Sequence, residues 1–172
     1  MKRISYCRPY IPLGSPDDPV KPEYIMHGFV ELRDDDNKVL SVLPPGSIVG
    51  IEVALGCERR YNYFTVGNTV LKAYDTEDAE APFAIAQTLD HILQWAHFNH
   101  FPANKRIRAM FNDLFPGTDV NITVTDIARI CNMTRVWANQ ILIDMQNVEQ
   151  MGRRDQYFYL MPGGRRGKIA NS

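Results

Sequence analysis

Ile122-Thr-Val-Thr-Asp-Ile-Ala-Arg-Ile-Cys-Asn-Met-Thr-Arg-Val-Trp-Ala-Asn-Gln-Ile-Leu-Ile-Asp-Met145 holds two short amphipathic patterns separated by a turn. Thr125 is in position to cap a first helix whose inner residues are Ile127, Ala128 and Ile130, and Ala128 is small where a second helix must cross closely. Asn132 tolerates the positive φ of a tight turn. Thr134 caps the second helix, which buries Ala138, Ile141 and Leu142 and turns Arg135, Val136, Asn139 and Gln140 outward. A braced first helix and a second helix with free leading side chains are what reading a DNA major groove requires. Arg135 can pair bidentately with guanine O6 and N7, and Asn139 and Gln140 can address adenine N6 and N7. The structural alternative is a helical hairpin inside an interaction domain.

Downstream, Gly152-Arg153-Arg154-Asp155 precedes Gln156-Tyr-Phe-Tyr-Leu-Met161. A basic turn followed by an aromatic strand predicts a β-wing whose Arg153 and Arg154 lie against phosphate and help to fix register. The tail Pro162-Gly-Gly-Arg-Arg-Gly-Lys168 is cationic. It reads equally as a source of salt-sensitive affinity and as a solvated terminus.

Upstream, Asp75 or Thr76 is placed to cap a helix whose first turn holds Glu77, Asp78 and Glu80, with Pro82 early enough to be tolerated. Ile85, Leu89, Ile92 and Ala96 line up one apolar stripe, widened by Phe83, Ala86 and Leu93. A helix packed on its own sheet is one reading. The other is a dimer-forming helix that links two domains, because so broad a stripe takes two partners to cover. Phe101-Pro102 ends it, and a further helix is predicted from Ala103 to Leu114, with Ile107, Met110, Phe111 and Leu114 buried and Pro116-Gly117 closing it.

The N-terminal part has strand texture. Met1 to Pro22 is crowded with prolines, which remove donors and fix φ, so an extended or loosely tied arm is expected. Then come Tyr24 to Leu32, Val39 to Leu43, Ser47 to Leu55, Tyr61 to Val66 and Thr69 to Tyr74, separated by turn signals including Pro44-Pro45-Gly46 and Gly67-Asn68. Short strand-forming runs at this spacing predict a compact antiparallel β-roll or sandwich.

The 172 residues suffice for one ordinary domain or two small ones, and 45% hydrophobic content suits a chain with a buried core. The net charge of −1 conceals a division: residues 1 to 101 carry 9 Lys/Arg against 14 Asp/Glu, and residues 102 to 172 carry 10 against 6. The basic half is where nucleic-acid contact is to be sought. Cys7, Cys57 and Cys131 fit neither a disulfide framework nor a paired metal knuckle. With no long apolar run and no signal-peptide core, the expectation is a soluble cytoplasmic protein without membrane contact.

Two further stretches carry a family resemblance. Tyr24-Ile-Met-His-Gly-Phe-Val-Glu-Leu32 resembles a β-roll segment, and Leu43-Pro-Pro-Gly-Ser-Ile-Val-Gly50 a turn, of the catabolite activator protein and fumarate-nitrate regulator (CRP/FNR) superfamily of transcription regulators. The resemblance runs from about Tyr24 to Met161, with an effector domain that is shortened and degenerate. It implies an α+β chain: a short N-terminal antiparallel β-roll over 1–74, a linking and dimerisation helix over 75–101, and a winged helix-turn-helix over 102–172. It also implies a homodimer on promoter DNA, sometimes in contact with RNA polymerase.

In cyclic-nucleotide binders of that superfamily a Gly-Glu pair and an Arg-Ser pair hold the ribose and the cyclic phosphate. The nearest matches are Gly50 with Glu52, and Arg60 followed by Tyr61, so Glu52, Arg60 and Tyr61 are the implied effector residues. A tyrosine where a small hydroxyl should meet phosphate crowds such a pocket. Arg135 matches the superfamily's recognition arginine, while Val136 stands for its usual glutamate and Gln140 for a second arginine. Loss of a carboxylate that accepts from cytosine N4 changes the preferred half-site.

Cys7 is alone where an iron-sulfur cluster needs four cysteines, and His27, His91, His97 and His100 show no ligand spacing. No phosphate loop, nucleophile elbow or Ser/His/Asp spacing points to an enzyme. The sequence therefore assigns no catalytic residue, metal or cofactor. It predicts a homodimeric regulator on a pseudopalindromic promoter site, with Ile85, Leu89, Ile92 and Ala96 at the dimer interface. The alternative is a degenerate member that docks proteins without specific DNA binding.

Overall fold

Strand β2 (Glu23–Arg33) organises the N-terminal part of a computed structural model that describes residues 4–7, 12–14, 21–114, 122–147, 151–154 and 157–160. The chain is α+β and divides into two units, Met1–His97 and Phe98–Ser172. In the first unit β1 (Ile4–Cys7), β5 (Asn62–Ala73), β2 and β3 (Val39–Leu43) form a sheet in the order β1-β5-β2-β3. The two-residue β4 (Ile48–Val49) pairs with β2, and every pairing is antiparallel. Ile25, Val30, Leu32, Leu43, Val49, Tyr63 and Leu71 make the core of this unit, with Leu13, Leu40, Tyr61 and Ile92 packed on it.

The ladder departs from the sequence reading in three places. Gly67-Asn68, expected as a turn between two strands, lies inside the single strand β5, which runs beside β2 from Glu23↔Ala73 to Arg33↔Asn62. The register shifts on either side of His27, and Gly28 takes φ 81°, where a Cβ would come 2.4 Å from the Asn68 carbonyl oxygen. Glycine thus absorbs an irregularity in a continuous ladder, and no hairpin is needed. Ser47 to Leu55, expected as a strand, stops at Val49. Gly50 at φ 70° opens the one-turn helix α1 (Ile51–Ala54), in which the Ala54 and Leu55 amides return to the Gly50 and Ile51 carbonyls at 3.0 and 2.9 Å. Within the N-terminal arm, Ile4–Cys7 pairs with β5 from Ile4↔Lys72 to Cys7↔Thr69. This stretch precedes the first proline and keeps all its donors. Pro12 forms a bridge to Phe64; Pro9, Pro16 and Pro19 lie outside the described residues.

Helix α2 (Ala81–Phe98) begins later than Asp75 or Thr76. Asp75, expected as a cap, and Asp78, expected in the first turn, act in the turns before it: Asp75 Oδ1 accepts from the Glu77 amide at 3.1 Å, and Asp78 Oδ1 from the Glu80 amide at 3.4 Å. Pro82 is then the second helical residue, where its missing N–H costs nothing. The helix is held to the sheet by Thr88, whose hydroxyl accepts from the Ile48 amide (2.9 Å) and donates to the Ala84 carbonyl (2.6 Å). Gln87 donates to the Pro45 carbonyl, and Gly46 at φ 89° leaves it room, since a Cβ there would lie 2.9 Å from Gln87 Oε1.

In the second unit α3 (Ala103–Ala109) runs into a π-helical turn (Met110–Leu114). Then come β6 (Ile122–Thr123), α4 (Val124–Ile130), α5 (Arg135–Asn147) and the strands β7 (Met151–Arg154) and β8 (Tyr157–Leu160). The strands form a three-stranded antiparallel sheet in the order β6-β8-β7. Ile107, Met110, Ile127, Ile130, Cys131, Ala138 and Leu142 are fully buried beneath the helices. Burial pushes the Cys131 thiol up to about 12 against the opposing pull of Arg106, whose guanidinium donates to the Cys131 carbonyl. Leu114 keeps its helical place, but its side chain and Pro116-Gly117 lie outside the described residues.

Candidate functional site

The second unit presents its chemistry on α4, the turn and α5. Thr123 is the N-cap of α4: its hydroxyl accepts from the Asp126 amide at 3.2 Å, and Asp126 Oδ2 accepts from the Thr123 amide at 3.0 Å. Thr125, expected as the cap, is instead an exposed residue of the first turn. The signal was present as Thr123-Val-Thr-Asp126, an acid three residues after a hydroxyl, whereas Ala128 follows Thr125 at that spacing. After α4, Asn132 takes φ 49° and donates to Asn99 Oδ1 at 3.1 Å, while Met133 N–H returns to the Ala128 carbonyl at 2.9 Å.

Thr134 closes the turn by accepting from the Trp137 amide at 3.2 Å. From this anchor α5 sends Ala138, Leu142 and Met145 into the core and leaves Ile141 half-buried. Arg135, Val136, Asn139 and Gln140 are exposed, Val136 at 81%. No carboxylate stands in the first turn of α5, so the positive end of its dipole and Arg135 are uncompensated on the helix. Gln140 donates to Asp144 one turn on, at 3.1 Å.

Trp137, 52% exposed, escaped the sequence reading. It flanks a cleft of about 510 Å³ shared with Pro102, Asn104, Arg108, Ile141 and Asp144. Arg153 and Arg154, expected in a turn, belong to strand β7, opposite Phe158 and Tyr157, because the pairing extends through the basic pair. Their side chains, and the tail from Pro162 to Lys168, lie outside the described residues.

The first unit treats its implied effector residues differently. Glu52 is 7% exposed; one carboxylate oxygen accepts from the Tyr63 hydroxyl at 2.5 Å, and the other is buried without a hydrogen-bond partner among the described residues. Burial and the adjacent carboxylate push the Tyr63 hydroxyl well above the usual phenol range. Arg60 is exposed, and Tyr61 packs its half-buried ring on the core. Arg59 donates to the Tyr61 carbonyl at 2.9 Å and the Leu13 carbonyl at 3.4 Å. The sequence reading missed Tyr63, although its opposition to buried Leu32 in the ladder marks it as inward-facing.

The stripe on α2 divides. Ile85 packs with Tyr24, Ile48 and Ala84, and Ile92 packs on the main core of the unit. Leu89 and Ala96 are exposed, as are Phe83 at 73%, Ala86 and Leu93 at 69%. Among the described residues no group of three His, Cys, Asp or Glu is arranged to hold a metal ion, and no helix is long and apolar enough to cross a membrane.

No protein-family model matches the sequence, and no curated protein matches it. Solved structures do match. A CRP-family transcriptional regulator of Thermus thermophilus superposes with a TM-score of 0.72 at 17% identity, covering 92% of each chain. FixK2 of Bradyrhizobium japonicum gives 0.71 at 14% identity, over 94% of this chain and 93% of its own. The c-di-GMP-responsive global regulator CLP of Xanthomonas campestris gives 0.68 at 18% identity, over 94% of each. The chain therefore has the fold of the CRP/FNR transcription regulators.

Proposed function

We propose that this chain is a cytoplasmic DNA-binding transcription regulator that acts as a homodimer on a pseudopalindromic promoter site. The observation that carries the reading is the division of α5, with Ala138, Leu142 and Met145 in the core and Arg135, Val136, Asn139 and Gln140 in solvent behind the Thr134 cap. In this reading α4, the turn and α5 are the helix-turn-helix, and the sheet β6-β8-β7 is the wing that brings Arg153 and Arg154 to phosphate. Thr125 and Thr134, at the leading ends of the two helices, are further backbone contacts. RNA polymerase is a further partner in this reading if the chain activates rather than represses.

The outward half of the α2 stripe supports self-association. Leu89 and Ala96, with Ala86 and Leu93, form an exposed apolar strip along the helix, Phe83 is exposed at its start beside the cleft it shares with Tyr24 and Lys72, and Ile85 and Ile92 secure the helix to its own sheet. An equivalent strip from a second copy covers it. Two α5 helices then approach the duplex about 34 to 36 Å apart, one helical turn. In the first unit, Glu52 is engaged by Tyr63 and Tyr61 packs on the core, which argues against a cyclic nucleotide as effector.

Binding to random-sequence duplex across a salt series tests the reading. Log affinity falls linearly with log salt for a DNA reader, by about 0.9 per phosphate contacted. Undetectable binding at low salt would support a protein-docking module instead. Selection from a random duplex library then yields two inverted half-sites, and Arg135→Ala removes about 1 to 3 kcal/mol of preference at one base pair in each. Equal weakening at every sequence would make Arg135 a phosphate contact.

A further inference from the structure

Val136 stands at the second helical position of α5, directly after Arg135, with 81% of its surface in solvent. The fold gains little from it there. It is not among the buried residues of α5, and a β-branched residue in an exposed first turn is a poorer helix former than alanine. It can neither donate nor accept a hydrogen bond, so whatever it contributes to recognition comes from covering apolar surface. Half-exposed Trp137 lies beside it, with Ile143 and Asp144 further along the helix. Its polar neighbours at the leading end of the exposed face are a cation and two amides, Arg135, Asn139 and Gln140, with no carboxylate in the first turn. That set is complementary to the acceptor-rich edge and negative potential of a major groove. The apolar group such a groove offers is the 5-methyl of thymine.

We infer that Val136 is a specificity-determining residue that reads a thymine methyl in each half-site, next to the base pair addressed by Arg135. The inference rests on the DNA-binding reading and adds the identity of one base. Cytosine presents an N4 donor and no methyl at the same groove position, and Val136 offers that donor no acceptor. Discrimination between the two pyrimidines then rests on the methyl.

The test uses the full chain and duplexes carrying the half-site selected from a random library, with thymines replaced one at a time by deoxyuridine. Deoxyuridine keeps the pairing and every hydrogen-bonding edge and removes only the methyl. One replacement per half-site, next to the base pair lost in Arg135→Ala, should weaken binding about three- to fivefold, the effect of uncovering one methyl group. Val136→Ala should bind the thymine and deoxyuridine duplexes equally, while keeping the salt dependence of the native chain on random duplex. Val136→Glu should shift the selected base at that pair to cytosine. If native protein binds every deoxyuridine duplex as tightly as its parent while still binding DNA with steep salt dependence, the assignment of Val136 is overturned and the regulator reading stands. If no duplex binds at any salt concentration, both are overturned.

Discussion

Glu52 and Arg135 stand for two opposite uses of a charged side chain. Glu52, in the first unit, is almost wholly enclosed, and a tyrosine of the same unit supplies its hydrogen bond. Arg135, in the second, stands in solvent at the leading end of a helix whose other face is core. Burying a carboxylate costs several kcal/mol unless partners replace its water, so the first unit spends polar chemistry on holding itself together. The second unit holds its chemistry in reserve. Its helices are fixed by the Thr123 and Thr134 caps, by Asn132 in the turn and by Arg106 on the Cys131 carbonyl, and these leave the face of α5 free. In the proposed reading the first unit is scaffold and the second makes the contact with DNA.

The outward strip on α2 is where the first unit breaks this pattern, and it gives the largest predicted effect. Leu93→Glu places a charge on a residue already 69% exposed, so the fold of the unit should be unchanged by circular dichroism. In sedimentation the native chain should run as a dimer and the variant as a monomer. Affinity for the two-half-site duplex should then fall about a hundredfold or more, because the second half-site is no longer tethered to the first. A variant that remains dimeric would move the interface off this helix.

Alkali separates the two units next. Cys131 is raised from 9.0 to about 12 by burial, and Tyr63 is raised above 10.0 by burial and by Glu52. Both groups favour the neutral form in the folded chain. Each therefore contributes its stability in full below its unfolded value and loses it as pH rises toward the folded one. The second unit should begin to weaken above about pH 9, by about 1.4 kcal/mol per pH unit. The first unit should hold until about pH 10. Denaturant melts in a Trp95→Phe background, followed by Trp137 fluorescence for the second unit and with Cys131→Ala as control, measure the difference. A variant that still loses stability between pH 9 and 10 would assign the loss elsewhere.

How much of this was legible in the sequence follows the same division. The turn at Asn132, the Thr134 cap and the outward set on α5 were legible because each rests on residues within one helical turn of one another. The β5 ladder was misread because Gly67-Asn68 has the composition of a turn, and only the partner strand, with Gly28 opposite, makes it an irregularity. α1 was hidden for a similar reason, since Ile51-Glu-Val-Ala54 has no helical period long enough to recognise. The Tyr63–Glu52 pair joins residues brought together by the sheet, and sequence spacing carries no trace of it. The split of the α2 stripe needed the sheet as well, because a pattern of apolar residues does not say which of two partners each one faces.

Thr123 gives the smallest effect and the most direct check on how rigidly the open site is held. Its hydroxyl satisfies the Asp126 amide, and Asp126 in return accepts from the Thr123 amide and pairs with Arg129 at 3.2 Å. Thr123→Ala removes the first of these bonds and should lower the stability of the second unit by about 1 kcal/mol, whereas Thr125→Ala, on the exposed first turn, should leave stability unchanged. Because α4 carries the turn that sets the start of α5, Thr123→Ala should also weaken binding to the selected site more than to random duplex: groove contacts depend on the angle at which α5 enters, and phosphate contacts tolerate a small error in it. Equal loss on both duplexes would mean that α5 keeps its angle without the box, and that the Thr134 cap and the core beneath Ala138 and Leu142 fix it alone.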